Sequence, residues 1–532
     1  MEEPANLDLQ VILDRLQNRR EFLQLFGKGL GYSALGALLP ACGGGSNATA
    51  TPAIQIPANP IPKASAEYTL LKRTSFGPRQ DALQSIKTLG IDAYLEVQLD
   101  HESIDDGTLE AEIGTLFPLT AQTPAQLLAG FPDNIAETAR QMVGATQYRQ
   151  MFSQRQLYEI MVEFWSDHFN IHLLNGLGPT LKPTDDREVI RANALGNFSV
   201  LLHASAKSPA MLFYLDNFFN QAIAPNENYA RELMELHTLG VDGGYTEDDV
   251  KEVARCFTGW TLNFPDDVNY GEFVYADVIH DKASKLVLGN PIAANGAQDD
   301  AEQVLDLLAA HASTASFIAT KLCRRFISDS PDAATVTAVA TAFSNSAGDI
   351  KTTLRALFAS PAFRNTSDLK LSRPSEFLPA LVRALAPAGG YPSDDGQFFF
   401  VAQSILGQLP FYWPTPDGYP DKQSYWAGTG GLLNRWRLSF LSYSGIIPGI
   451  DVLVIDYSSM LSGAETVTTI VDALTDTILM RPLSAEHRDI IIDWLMTEFG
   501  VGADDVLPPG SPAQVSPLIA AVLISSAYFQ LR

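Results

Sequence analysis

The sequence predicts a mainly α protein, a multi-helix globular body with one small β-hairpin insertion. Three observations carry this. Apolar residues recur at helical spacing through most of the chain beyond residue 67. The breaks between these stretches are short and carry Asp, Ser, Gly or Pro, the residues that start and stop helices. Only Glu272–Tyr275 and Lys285–Leu288 read as strands. No period of 20–50 residues repeats, so the helices are not read as a solenoid.

The bulk composition narrows the function classes. Of 532 residues, 36 are Lys or Arg and 61 are Asp or Glu, a net charge of −25. Such a chain lacks the basic surface that nucleic acid requires. It is equally unsuited to electrostatic docking on anionic lipid. Three cysteines exclude a disulfide scaffold.

Three segments follow one another. Residues 1–42 contain Asn18-Arg19-Arg20-Glu21-Phe22-Leu23, then a short apolar run ending at Leu39-Pro40-Ala41-Cys42. Paired arginines, an apolar run and a small-residue site are the anatomy of an export signal. The stretch resembles a twin-arginine signal closed by a lipobox, with Cys42 the lipidated residue and Pro40 atypical there. The competing reading is a buried pair of helices. Residues 43–66 are rich in Gly, Ser, Ala, Thr and Pro and form a tether that cannot bury a core. Residues 67–532 are the body, with a candidate sub-boundary near 390.

Within the body, helices are expected at 82–89, 93–99 and 147–169, with 100–133 rich in turns. In the 147–169 helix, Leu157, Ile160, Met161, Phe164, Trp165 and His168 share one side; Glu159, Glu163, Ser166 and Asp167 share the other. His168 therefore points inward. A helix over 187–206 follows. Asn226–Trp260 reads as two short helices joined by Gly243-Gly244, the second opened by Thr246 and an acidic first turn. On the first, Asn228, Arg231, Glu232 and Glu235 fall within about 100° of one another. The strand signals come next, with His280 near the tip of their hairpin. Helices resume at 299–311, 314–328, 331–345, 350–359, 374–387 and 397–406, and again at 430–443, 467–479, 484–498 and 513–529. Residues 407–426 interrupt them. Their four prolines and six aromatics predict an ordered loop packed by its own side chains.

Several of these stretches carry a resemblance. YTLLKRTSFGP at 68–78, FW-x-x-HF at 164–169, the 226–260 stretch and His280-Asp281-x-x-x-Lys285 are together similar to the DUF1800 family, over nearly all of 67–532. Ala283 stands where that family often has Gly. The resemblance implies an exported bacterial protein, often encoded beside a DUF1501 protein and so supplied with a working partner. It implies no particular reaction.

Two candidate sites emerge. The first is a cleft joining inward His168 to the Asn228/Arg231/Glu232/Glu235 face and to His280/Asp281. Imidazole and carboxylate ligands on different helices suit a divalent metal, with His168, His280 and Asp281 or Glu235 as ligands, Glu232 as acid/base and Arg231 orienting an anionic group. Alternatively Glu232 and Glu235 face each other's charge and one is held protonated as a general acid. The alternative is structural: Arg231 in an ion-pair network with Glu232 or Glu235, and His168 bonded to a carbonyl. The spacing matches neither H-E-x-x-H nor a di-iron motif. The second candidate is the aromatic loop, where Trp413, Tyr419, Tyr425 and Trp426 can stack on sugars, with Asp417 and Gln408 bonding hydroxyls. They can equally glue the loop to the core. Cys256 and Cys323 are read as buried small hydrophobes, with a disulfide between them left open. The functional expectation is an anchored envelope protein of a Gram-negative bacterium: either a metal-assisted hydrolase, or a non-catalytic binder of polysaccharide or a DUF1501-type partner.

Overall fold

A computed structural model describes residues 61–264, 269–385, 396–444 and 455–532. The twin-arginine stretch, Cys42, most of the tether and the candidate boundary near 390 lie outside them. Among the described residues the body is mainly α, with two small antiparallel ribbons. Its first helix, Ala66–Thr74, starts where Ser65 accepts a hydrogen bond from the Tyr68 amide. Among the described residues no helix is long and apolar enough to cross a membrane.

Among the described residues two large apolar cores organise the helices, beside two small clusters. One gathers residues from Leu70 to Phe363, including Trp165, Phe198, Trp260 and Phe326. The other joins Leu109–Met151 to Phe377–Phe529. The Gln156–His168 helix lies along their seam. Its apolar stripe enters the first core, while Glu163 and Asp167 turn towards Arg373 and Ser375, which open the second. Burying charge is costly unless it is paired, and here Glu163 and Asp167 both meet Arg373.

Several elements differ from expectation. The 147–169 helix is two helices, Ile135–Phe152 and Gln156–His168. They part where the Ser153 hydroxyl and the Gln154 amide turn aside to donate to Asp106. The turn-rich 100–133 stretch holds helices at Gly107–Leu116 and Pro124–Ala129. The two strand signals do not pair with each other. Phe273–Tyr275 pairs with Trp260–Leu262, and Lys285–Val287 with Asn290–Ile292. Trp260–Leu262 has no alternation because it is buried on both faces, so it is not distinguishable from a helix end. Cys256 and Cys323 are buried thiols, not joined to each other.

Candidate functional site at the seam between the cores

The predicted central helix is not regular. Asn228–Glu232 is α-helical, but Leu233–Thr238 is a π-helix, whose extra residue rotates everything beyond Glu232. Arg231, Glu232 and Glu235 stay near one another, but their expected pairing does not form. Arg231 pairs with Glu247 at 2.8 Å and Glu227 at 3.2 Å, not with Glu232 or Glu235. Asn228 is exposed and donates to the Leu215 carbonyl. Glu232 is half-buried; burial, then the nearby Glu235, raises its proton affinity.

His168 and His280 are not brought to one cleft. The His168 Nε2–H donates to the His237 carbonyl at 3.0 Å, and its Nδ1 accepts from the Lys321 ammonium at 2.8 Å. Burial, then the Lys321 charge, holds this imidazole neutral, well below the usual range. The carbonyl-bonded alternative describes it. His280 belongs to a separate buried network, bonded to the Thr258 carbonyl at 2.7 Å and to Asp300 at 3.2 Å. Lys285 closes that network on Asp300. Asp281 is paired with Arg255 at 2.7 Å. Every nitrogen that a shared ion would need is already engaged, with different neighbours. Among the described residues no group of three His, Cys, Asp or Glu side chains is placed to hold a metal ion. The expected ligand set of His168, His280 and Asp281 thus fails on geometry.

The aromatic loop is packed by its own rings. Trp413 lies 5.0 Å from Tyr419, and Tyr425 lies 4.7 Å from Trp426. The Trp413 and Trp426 indoles donate to Asp417 and to the Pro420 carbonyl, and the Tyr419 hydroxyl to the Leu409 carbonyl. Trp426 is buried and Tyr425 half-exposed. Gln408, expected to bond hydroxyls, is buried and accepts from the Ser375 amide. The loop is tied to the seam by Asn170, which donates to the Trp413 and Thr415 carbonyls. Gly418, at φ +71°, lies so close to the helix that a Cβ there would overlap the Asp167 carbonyl.

Between loop and seam lies a cavity of about 290 Å3. Residues 417–422 of the loop form one wall; Phe164, Asp167, Lys321, Arg324, Arg325 and Arg373 form the other. The Ala312–Phe326 helix delivers Lys321, Arg324 and Arg325, and the entry to Pro374–Leu385 delivers Arg373. The Arg373 guanidinium contacts Glu163 and bonds Asp167 at 2.6 Å. Behind it Glu376 accepts from Arg532 at 2.8 Å and pairs with Arg325 at 2.6 Å. Burial pushes the Asp167 carboxyl up to about 6 against the pull of Arg373, with Glu163 adding to the rise. Burial also lowers the Lys321 ammonium to about 8. Both groups therefore change charge near neutral pH.

Of the residues singled out in the sequence, Asp417 and Tyr419 line this cavity, and His168 touches it through Lys321. Asp167, Lys321, Arg325 and Arg373 were missed. Their signals were the adjacent Arg324-Arg325 on an otherwise apolar helix and the Arg373-x-x-Glu376 cap, whose Glu376 accepts from the Arg373 amide at 2.7 Å.

The fold and the cavity together define a two-core helical protein with a charged ligand-sized pocket. The family model described as protein of unknown function (DUF1800) matches residues 69–531, and the chain belongs to that family. Comparisons with curated proteins and with solved structures found no match.

Proposed function

We propose that the chain is an exported envelope protein, tethered through Cys42, whose helical body holds a saccharide-sized ligand under the aromatic loop. Arg19-Arg20, the Leu39–Cys42 site and the 43–66 tether support export and anchoring to the periplasmic side of a Gram-negative envelope. A DUF1501-type protein is the proposed partner. The observation that carries the ligand reading is the cavity itself, in which aromatic Phe164 and Tyr419 border a floor of polar groups. Ring faces beside convergent charged groups suit a small polar ligand with both an apolar face and hydrogen-bonding substituents. A second reading, a hydrolase, is favoured by Asp167. Burial pushes this carboxyl up to about 6, towards the range in which a general acid works, although it is bonded to Arg373.

Two experiments test this. Growth with a radiolabelled fatty acid is expected to label the protein, and Cys42→Ala to abolish the label; an unlabelled wild-type chain refutes anchoring. Titration of envelope saccharides into the purified protein is expected to show binding that Tyr419→Ala weakens. Binding indifferent to Tyr419 refutes the pocket.

A further inference from the structure

The charge around the cavity runs against the rest of the chain. Overall, acids outnumber bases 61 to 36. At the cavity wall five cations, Lys321, Arg324, Arg325, Arg373 and Lys422, face three carboxylates, Asp167, Asp417 and Asp421. Those carboxylates are engaged already: Asp167 by Arg373, Asp421 by Lys370 at 3.1 Å, and Asp417 by the Trp413 indole and the Thr415 hydroxyl.

The cations are not all spent. Lys321 donates to a neutral imidazole, which supplies an acceptor but no counter-charge. Arg324 donates only a long bond, 3.4 Å, to the Asp329 carbonyl. Among the described residues neither of these, nor Lys422, has a carboxylate within ion-pair distance. Arg325 and Arg373 do have counter-ions behind them, Glu163 and Glu376, yet each side chain is 2% exposed. Among the described residues the Arg325 Nε–H meets no hydrogen-bond acceptor, while the Arg373 Nε–H is 3.9 Å from the Glu376 carboxylate, beyond hydrogen-bond reach. A buried donor without an acceptor is costly, and natural structures rarely leave one unmatched.

We propose that the cavity is an oxyanion site, taking the carboxylate, sulfate or phosphate group of an acidic saccharide. Lys321, Arg324 and Lys422 supply the direct charge. Arg325 and Arg373, held rigid by Glu376 and Glu163, supply a fixed positive potential behind it. Tyr419 and Phe164 offer the apolar border that a sugar ring requires. This rests on the ligand reading above and narrows it to acidic ligands.

The test is calorimetric titration of the purified protein with sodium sulfate, glucuronate and glucose, with wild type and the Arg324→Ala/Lys422→Ala pair. Sulfate and glucuronate are expected to bind, glucose about tenfold more weakly or not at all, and the paired variant to lose about tenfold for both anions. Lys422→Glu, at an exposed loop position, carries the same test if the pair disturbs the fold. Equal affinity for glucose and glucuronate overturns the oxyanion assignment while leaving the pocket. Sulfate affinity indifferent to the substitutions also overturns it, since the ion is then bound elsewhere. No binding of any probe removes both the assignment and the ligand reading.

Discussion

Replacing Glu376 by Gln removes the charge on which the cavity's rear wall rests. The carboxylate is 4% exposed and faces three guanidiniums: Arg325 at 2.6 Å, Arg532 at 2.8 Å and Arg373 at 3.9 Å. Two routes give the magnitude. Breaking a buried pair by removing one partner costs about 3–5 kcal/mol, because the other charge stays buried. Alternatively, burial works to raise the carboxyl, but Arg325, Arg532 and Arg373 outweigh it and hold it down to about 2, against the usual 4.5. At ~1.4 kcal/mol for each tenfold change in proton affinity, the fold favours the carboxylate by about 3 kcal/mol. The folded value lies below the unfolded one. The contribution is therefore complete above about pH 4.5 and is lost as pH falls through about 2. The assay is urea unfolding followed by tryptophan fluorescence, which buried Trp165 and Trp260 will report. Glu376→Gln is expected to lose about 3 kcal/mol at neutral pH. Between about pH 4.5 and 2 it should also lose about 3 kcal/mol less stability than the wild type, the remaining loss belonging to other paired carboxylates such as Asp421 and Asp281. A loss below ~1 kcal/mol, the scale of a surface pair, refutes the reasoning.

Three further outcomes follow from the same geometry. Lys285→Met strands Asp300, itself fully buried, with only His280; unfolding should show a loss of about 3 kcal/mol, with sulfate affinity unchanged because this network lies apart from the cavity. Gly418→Ala forces a methyl into the Asp167 carbonyl, so the loop must lift; titration is expected to show sulfate affinity reduced about tenfold with the helical circular dichroism intact. Sulfate affinity should also fall as pH rises, in two steps near 6 and 8. Asp167, facing Arg373, Glu163 and Lys321, first gains its negative charge; Lys321, facing Asp167, Arg324, Asp417, Asp421 and His168, then loses its positive one. Sulfate keeps its charge across this range, so a flat profile contradicts those assignments.

The helices were legible because the helical period needs only local sequence. Asp299–Ala309 and Ile350–Ala359 fall within about two residues of their expected bounds. The aromatic loop was legible as ordered, since so many rings and prolines have no other stable use. The site was not legible, for two physical reasons. Glu163 and Asp167 sit opposite an apolar stripe and so read as a solvent face; in the fold a second core covers them, and their partner Arg373 lies more than two hundred residues away. One sequence shows which charges exist but not which pair. At Leu233–Thr238 the backbone itself departs from the period. A face computed at 100° per residue no longer holds beyond Glu232, and although Glu235 stays close enough to act on Glu232 and Arg231, the ion pairs of Arg231 go to Glu227 and Glu247. His168 was correctly placed inward, but inward meant a bond to a carbonyl and to Lys321.

The most direct check on the cavity is anomalous diffraction from crystals of the protein soaked in selenate, a heavy-atom mimic of sulfate. The account predicts an anomalous peak under the aromatic loop, with oxygens about 3 Å from the Lys321 ammonium and the Arg324 guanidinium. Peaks confined to the outer surface, with the cavity filled only by water, would contradict it.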